Sequence, residues 1–247
     1  MADFLLYYRK NDVENHMNPN YRRFLDALAG IPGDPVLFEP FVPVYLTEQL
    51  IWRRGEHLWS TVPVYLDTLL SLRERTYADV VIADMRRFPD TQAEELAAEM
   101  AAQAADEYKF VALCSSPLQY KAAVGSAGVC AVGLYGWENW FGGMEKFLPL
   151  IAMDGEIDAA VRAGFDGWFC PADGETYWEK YHDRISICGG LGAQWMQKEQ
   201  PITIHNRSEA IFKKTGGAGW LIGSGGEVSK EDYLSLISLL GIYRRYR

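Results

Sequence analysis

Short, uninterrupted apolar runs recur along this chain, and each ends in a polar or glycine-rich break that leads into a stretch with helical spacing. Asp79–Met85 reads DVVIADM, Lys109–Ser115 reads KFVALCS, Phe165–Cys170 reads FDGWFC, Arg184–Cys188 reads RISIC, and Trp220–Ile222 closes the series before GSGGE. Apolar runs without a two-residue alternation belong to strands buried on both faces of a parallel sheet. Val36–Val42 (VLFEPFV) is read as the first strand, ended by Pro40 and Pro43, and Val129–Leu134 as a fourth strand or the end of the helix that follows Pro117. Between them the apolar residues fall at helical intervals in Tyr21–Leu28, Thr47–Trp52, Val62–Tyr77, Thr91–Tyr108, the segment after Pro117, Glu156–Ala163 and Ser208–Thr215. Alternation of strand and helix with short links predicts right-handed crossovers. The expectation is an α/β fold, a (β/α)8 TIM-type barrel with one strand–helix unit reduced or missing. Phe4–Tyr8 is read as a strand within an arm or lid over residues 1–20, and residues 21–247 as one barrel domain.

In such barrels the loops after the strands form the active face. The residues at the strand ends are therefore the candidates: Glu39, Asp84, Cys114, Asp173, Cys188 and the loop 223–227. Asp84 closes an apolar strand, and Glu39 stands within FEPF, where an unpaired carboxylate is costly to bury. Asp173 lies in PADGE, and Asp-Gly is also a common turn pair. Arg86 and Arg87 follow Asp84 and either grip ligand carboxylates or pair with surface acids. Tyr135, Trp137 and Trp140 gather after the fourth strand, as core or as a stacking wall for a flat ligand. Cys114, Cys188, His182 and His205 are read first as packing residues. Gly223, Gly225 and Gly226 precede a helix that Ser229 can cap, with Asp232 in its first turn. They either make a tight turn or let backbone amides approach a ligand, with Glu227 beside it.

Composition narrows the classes. Apolar residues make up 49% of 247, enough for a large core, and the formal charge is −9. Nucleic-acid binding needs clustered Lys and Arg, so nucleic acid is not expected as a partner. Four scattered cysteines with no Cys-x-x-Cys pair suggest a reduced, cytoplasmic protein. No apolar run reaches membrane-spanning length, and the first residues do not read as a signal peptide.

Several pieces in order resemble the uroporphyrinogen decarboxylase superfamily. They are YRRFLDALAGIPGDPVLFEPF, ADVVIADM, CSSPLQYKAAVG followed by YGWENWF, AGFDGWFCPADGE, and TGGAGWLIGSGGEV. The resemblance runs from Tyr21 to the C-terminus. It implies a barrel with a ligand funnel at the strand C-termini and a small carboxylated or methylated substrate. It also implies a decarboxylase or a cobalamin-dependent methyltransferase, the latter with a corrinoid protein partner. Residues 1–20 would then cover the pocket or mediate a homodimer. For the decarboxylases the resemblance places Asp84 at a catalytic position, and Glu39 and Asp173 join it as catalytic candidates. Arg86, Tyr135, Trp137, Gly223, Gly225 and Glu227 become substrate-binding candidates. This chain lacks the arginine-rich N-terminal segment and the last-loop histidine of the decarboxylases. The zinc methyltransferases carry His-x-Cys-Gly and a last-loop cysteine. Here Ser186-Ile187-Cys188-Gly189 and Gly225 stand in those places, leaving Cys188 as the one zinc ligand to be placed. No other cofactor is implied. Little room remains between Cys188 and Leu221 for a full unit. The alternative to an enzyme is a non-catalytic barrel that binds a small ligand or a protein.

Overall fold

Residues 81–84 enter a sheet that is parallel throughout, with Val81 and Ala83 buried and Ile82 and Asp84 half-buried, so their apolar run carries no polar alternation before Asp84. The computed structural model describes residues 19–39, 61–76, 79–104 and 108–226. The expected strand at Phe4–Tyr8, nearly all of the 1–20 arm, the Thr47–Trp52 helix, Glu227 and the helix after Ser229 lie outside them.

Among the described residues eight strands form one sheet: β1 (Val36–Leu37), β2 (Val81–Asp84), β3 (Phe110–Cys114), β4 (Val129–Leu134), β5 (Leu150–Ala152), β6 (Gly167–Cys170), β7 (Ser186–Gly190) and β8 (Trp220–Gly223). Their spatial order is β1-β8-β7-β6-β5-β4-β3-β2, every neighbour parallel. This is the strand order of a (β/α)8 TIM-type barrel, with β1 brought round to β8. The helices among the described residues are α1 (Pro19–Leu28), α2 (Val62–Thr76), α3 (Ala93–Gln103), α4 (Pro117–Gly125), α5 (Ile157–Arg162), α6 (Glu175–Tyr181), α7 (Ala193–Met196) and α8 (Pro201–Thr215).

The expectation of a reduced unit holds, but its place differs. Between β7 and β8 stand both α7 and α8, so the segment after Cys188 is fully furnished. The shortened crossover is the one from β4 to β5, which carries only the single 3-10 turn Trp137–Asn139. Apolar aromatic residues there pack in place of a helix: Trp137 lies 4.7 Å from Phe165, and Phe141 5.3 Å from Tyr120, between ring centroids. That aromatic segment leads straight into β5, a three-residue strand absent from the apolar runs named above.

Alternate strand residues sort into two cores. Val36 and Phe38, Val111 and Leu113, Ile151 and Met153, Phe169, Cys188 and Leu221 point inward and pack together. Their neighbours in sequence, such as Ala112, Val132, Ile187 and Ile222, face the surrounding helices. Helix α1 closes the N-terminal end of the barrel. Its Phe24, Leu25 and Leu28 join the inner core. The buried Ser186 hydroxyl donates to the Leu28 carbonyl at 2.9 Å, at the point where α1 ends. Arg23 reaches the fully buried Asp79 at 2.6 Å, so a carboxylate at the foot of β2 is paired rather than stranded. With that end plugged, a small molecule has the opposite end, the strand C-termini, to approach.

Candidate functional site at the barrel mouth

The register sets which residues reach the C-terminal rim. Asp84 pairs in the ladder with Leu113, Cys114 with Leu134, Cys170 with Gly189, and Gly190 with Gly223. Asp84 and the β8 glycine loop therefore share one end of the barrel. Asp84 is in phase with the inward-facing Val80 and Ile82, and Tyr135 with Ala131.

The polar centre of this rim is a set of three side chains. Asp84 caps the 3-10 turn Met85–Arg87, accepting from the Arg86 amide. That turn swings the Arg86 side chain back over the strand ends. Its Nε donates to Asp84 Oδ1 at 2.8 Å and its Nη2 to Oδ2 at 2.9 Å, a bidentate pair. The same guanidinium lies flat over the Tyr135 ring, 3.6 Å from the centroid. Burial works against the Arg86 charge, but the adjoining Asp84 carboxylate outweighs it and raises the pKa above the usual arginine value. Burial pushes the Tyr135 hydroxyl up to about 12, against the pull of the Arg86 cation. The Tyr135 Oη is buried and has no hydrogen-bond partner among the described residues.

Two groups absent from the sequence-based candidates hold this set in place. Tyr65, fully buried on α2, accepts from the Asp84 amide at 2.5 Å, satisfying an amide at the edge of the sheet. Asp154, at the end of β5, accepts from the Gly136 amide at 2.8 Å and ties the loop after Tyr135 to the next strand. The signal for Asp154 is visible in the sequence: Leu148–Met153 followed by Asp154 repeats the pattern of an apolar run ending in Asp. Tyr65 carries no such mark, because its role depends on a helix crossing over a strand end.

The other candidates fall elsewhere. Glu39 is buried, and its Oε2 accepts from the Ser224 amide at 2.8 Å, joining the end of β1 to the loop after β8. Asp173 is 60% exposed, pairs with Arg207 at 2.8 Å and caps the entry to α6 through the Glu175 amide. Trp137 is buried, donates to the Asp154 carbonyl and packs on Phe165, so its ring belongs to the wall behind the site. Trp140 donates to the Tyr135 carbonyl and pins that backbone.

The glycines of the last loop are packing positions. A Cβ on Gly223 would stand 2.0 Å from the Phe38 carbonyl oxygen, and one on Gly225, at φ +72°, 2.4 Å from that of Cys170. The loop amides are also engaged: Ser224 donates to Glu39, and Gly226 to the Ser224 hydroxyl. This favours the tight-turn reading over an anion cradle.

Cys188 is fully buried at mid-barrel, where its Sγ lies against Gly167. Burial raises its thiol pKa. No group of three His, Cys, Asp or Glu that could hold a metal occurs among the described residues, so the residues present do not fit a zinc site at Cys188. Cys114 faces the outer layer, its Sγ 3.6 Å from the Met85 sulfur. His182 ends α6 stacked on Trp178, 4.6 Å between centroids.

Fold and rim together define a TIM-type barrel with its polar groups at the C-terminal mouth. No protein-family model matches the chain, and no curated protein matches it. Among solved structures, a methyltransferase from Methanosarcina mazei superposes with a TM-score of 0.62, at 10% identity over 92% of this chain and 99% of that one. At that identity the likeness is one of fold. No helix among the described residues is long and apolar enough to cross a membrane.

Proposed function

We propose that this barrel is an enzyme that acts on a small carboxylated or methylated molecule at its C-terminal mouth, of decarboxylase or methyltransferase type. The observation that carries the reading is the Asp84–Arg86–Tyr135 set, a carboxylate, a cation and a phenol gathered at one rim. The fold shared with a methyltransferase supports the class.

In the decarboxylase form a proton added to the ligand makes it cationic and the Asp84 carboxylate stabilises that charge; the electron pair of the bond to the carboxyl carbon then neutralises it as carbon dioxide leaves, and a proton takes the carboxyl's place while the first is given back. Arginine at the rim holds a remaining acid group. In the methyltransferase form a corrinoid protein brings the methyl group to the same mouth. No zinc step is drawn in either form, because Cys188 lies buried with no metal-binding companions among the described residues.

Turnover tests this directly. The protein is incubated with uroporphyrinogen, assayed for coproporphyrinogen, and separately with methylcobalamin and a thiol. One of the two reactions should proceed, and Asp84→Asn should slow it by about 100-fold or more. No product from either reaction would sink the enzymatic reading. The barrel would then be a binding protein, a reading favoured by the bidentate engagement of Asp84 with Arg86.

A further inference from the structure

The buried hydroxyl of Tyr135 is the anomaly of the mouth. A buried hydroxyl without a partner forfeits its hydration with nothing in return, and native structures retain few such groups. Its surroundings narrow what can satisfy it. The guanidinium of Arg86 covers the ring face and draws on the hydroxyl electrostatically without meeting hydrogen-bond geometry, and the Asp84 carboxylate is engaged by that guanidinium. The covering group is displaceable. The Arg86 side chain is 30% exposed and that of Asp84 20%, so an incoming carboxylate can reach the fork, where one bidentate pair replaces another. Arg86 uses Nε and one Nη2 hydrogen on Asp84, leaving Nη1 and the second Nη2 hydrogen for another oxygen acceptor.

We propose that the mouth is a carboxylate-exchange site. A ligand carboxylate takes the Arg86 fork from Asp84 and accepts the Tyr135 hydroxyl proton in a hydrogen bond. Arg86 remains paired throughout, because one carboxylate replaces another of the same geometry. The hydroxyl gains the acceptor it lacks, and Asp84 is released toward the rest of the ligand. No covalent bond changes. The ligand class that satisfies all three groups is a small carboxylate whose carboxyl group leads into the mouth. This rests on the proposed function only in taking the mouth as the ligand site; it names the group on the ligand that the site reads.

Because the hydroxyl has no hydrogen-bond partner among the described residues, its removal separates stability from binding. Benzoate and benzamide serve as probes of matched shape, with and without the charge. Isothermal titration of the wild-type protein should show benzoate binding with a Kd of about 1 mM or tighter, and benzamide at least tenfold weaker. Tyr135→Phe should unfold at the wild-type temperature or above it, since a buried unpaired hydroxyl is removed. It should also bind benzoate about tenfold more weakly. Arg86→Lys, which loses the fork, should weaken benzoate similarly and narrow its preference over benzamide. The proposal is overturned if benzoate binds no better than benzamide, if Tyr135→Phe binds benzoate like the wild type, or if Tyr135→Phe lowers the melting temperature by more than about 3 °C. Turnover without carboxylate preference would remove this inference alone. Carboxylate preference without turnover would remove only the enzymatic reading.

Discussion

Gly223→Ala separates a packing glycine from one kept open for a ligand. Gly223 ends β8, and Phe38 follows β1, whose Leu37 stands opposite Ile222 in the ladder. The Phe38 amide donates to the Ile222 carbonyl at 2.8 Å, so both backbones are held at this point. A methyl at Gly223 would sit 2.0 Å from the Phe38 carbonyl oxygen, 3.0 Å from its carbon and 3.3 Å from the Gly189 Cα. Non-bonded carbon and oxygen atoms do not approach that closely, and the obstacle is backbone rather than a side chain that can rotate away. Relief requires β1 and β8 to separate, so the cost belongs at the upper end of overpacking, about 3 kcal/mol. For a domain of this size 1 kcal/mol corresponds to about 2–4 °C, and the melting temperature should fall by roughly 6–12 °C. Gly125→Ala is the control. Gly125 ends α4 with nothing within 4 Å of the methyl that the substitution adds, and the melting temperature should stay unchanged or rise slightly. The assay is thermal unfolding followed by circular dichroism. A Gly223→Ala protein that melts within about 2 °C of wild type, while losing ligand affinity, would refute the packing argument and restore the loop as a ligand cradle.

Other outcomes follow from the same geometry. Tyr65→Phe leaves the Asp84 amide without its acceptor and should cost about 1–3 kcal/mol in urea unfolding; an unchanged midpoint would mean that the bond at the sheet edge contributes nothing. Asp79→Ala removes the buried partner of Arg23, which keeps the exposed Asp34 at 3.6 Å, and should destabilise by about 1–3 kcal/mol, whereas a loss under about 1 kcal/mol would show α1 to be a dispensable plug. All four thiols are buried, and burial raises each thiol pKa, that of Cys170 up to about 11. At pH 8 almost no thiolate is present, so a thiol reagent should label the native protein slowly and four sites after denaturation; fast labelling of Cys188 in the native state would contradict its placement.

What the sequence disclosed, and what it withheld, divides by the range of the interactions involved. The apolar runs at 81–84, 110–114 and 129–134 became strands because burial on both sheet faces leaves its mark residue by residue. Asp84 was legible at the mouth for the same reason: in a parallel barrel every strand ends at the same rim, so the last residue of a run is placed by topology alone. The strand Leu150–Ala152 was hidden because three residues cannot outweigh the aromatic segment before them. Tyr135 and Arg86 were visible as separate candidates, but their stacking was not. It depends on the 3-10 turn after Asp84, which turns a neighbour in sequence into a cover for the adjacent strands. Trp137 has an indole suited to ligand stacking, yet the missing β4–β5 helix leaves a gap that its ring fills. The roles of Gly223 and Gly225 rested on which backbone lies beside them, a contact made by strands far away in the chain.

A crystal structure of the protein grown with benzoate addresses the exchange at the mouth most directly. The benzoate carboxylate should lie against the Arg86 guanidinium and within hydrogen-bonding distance of the Tyr135 hydroxyl, with Asp84 turned free of its arginine. Density for benzoate at another surface, with Arg86 still joined to Asp84 by both nitrogens, would contradict it.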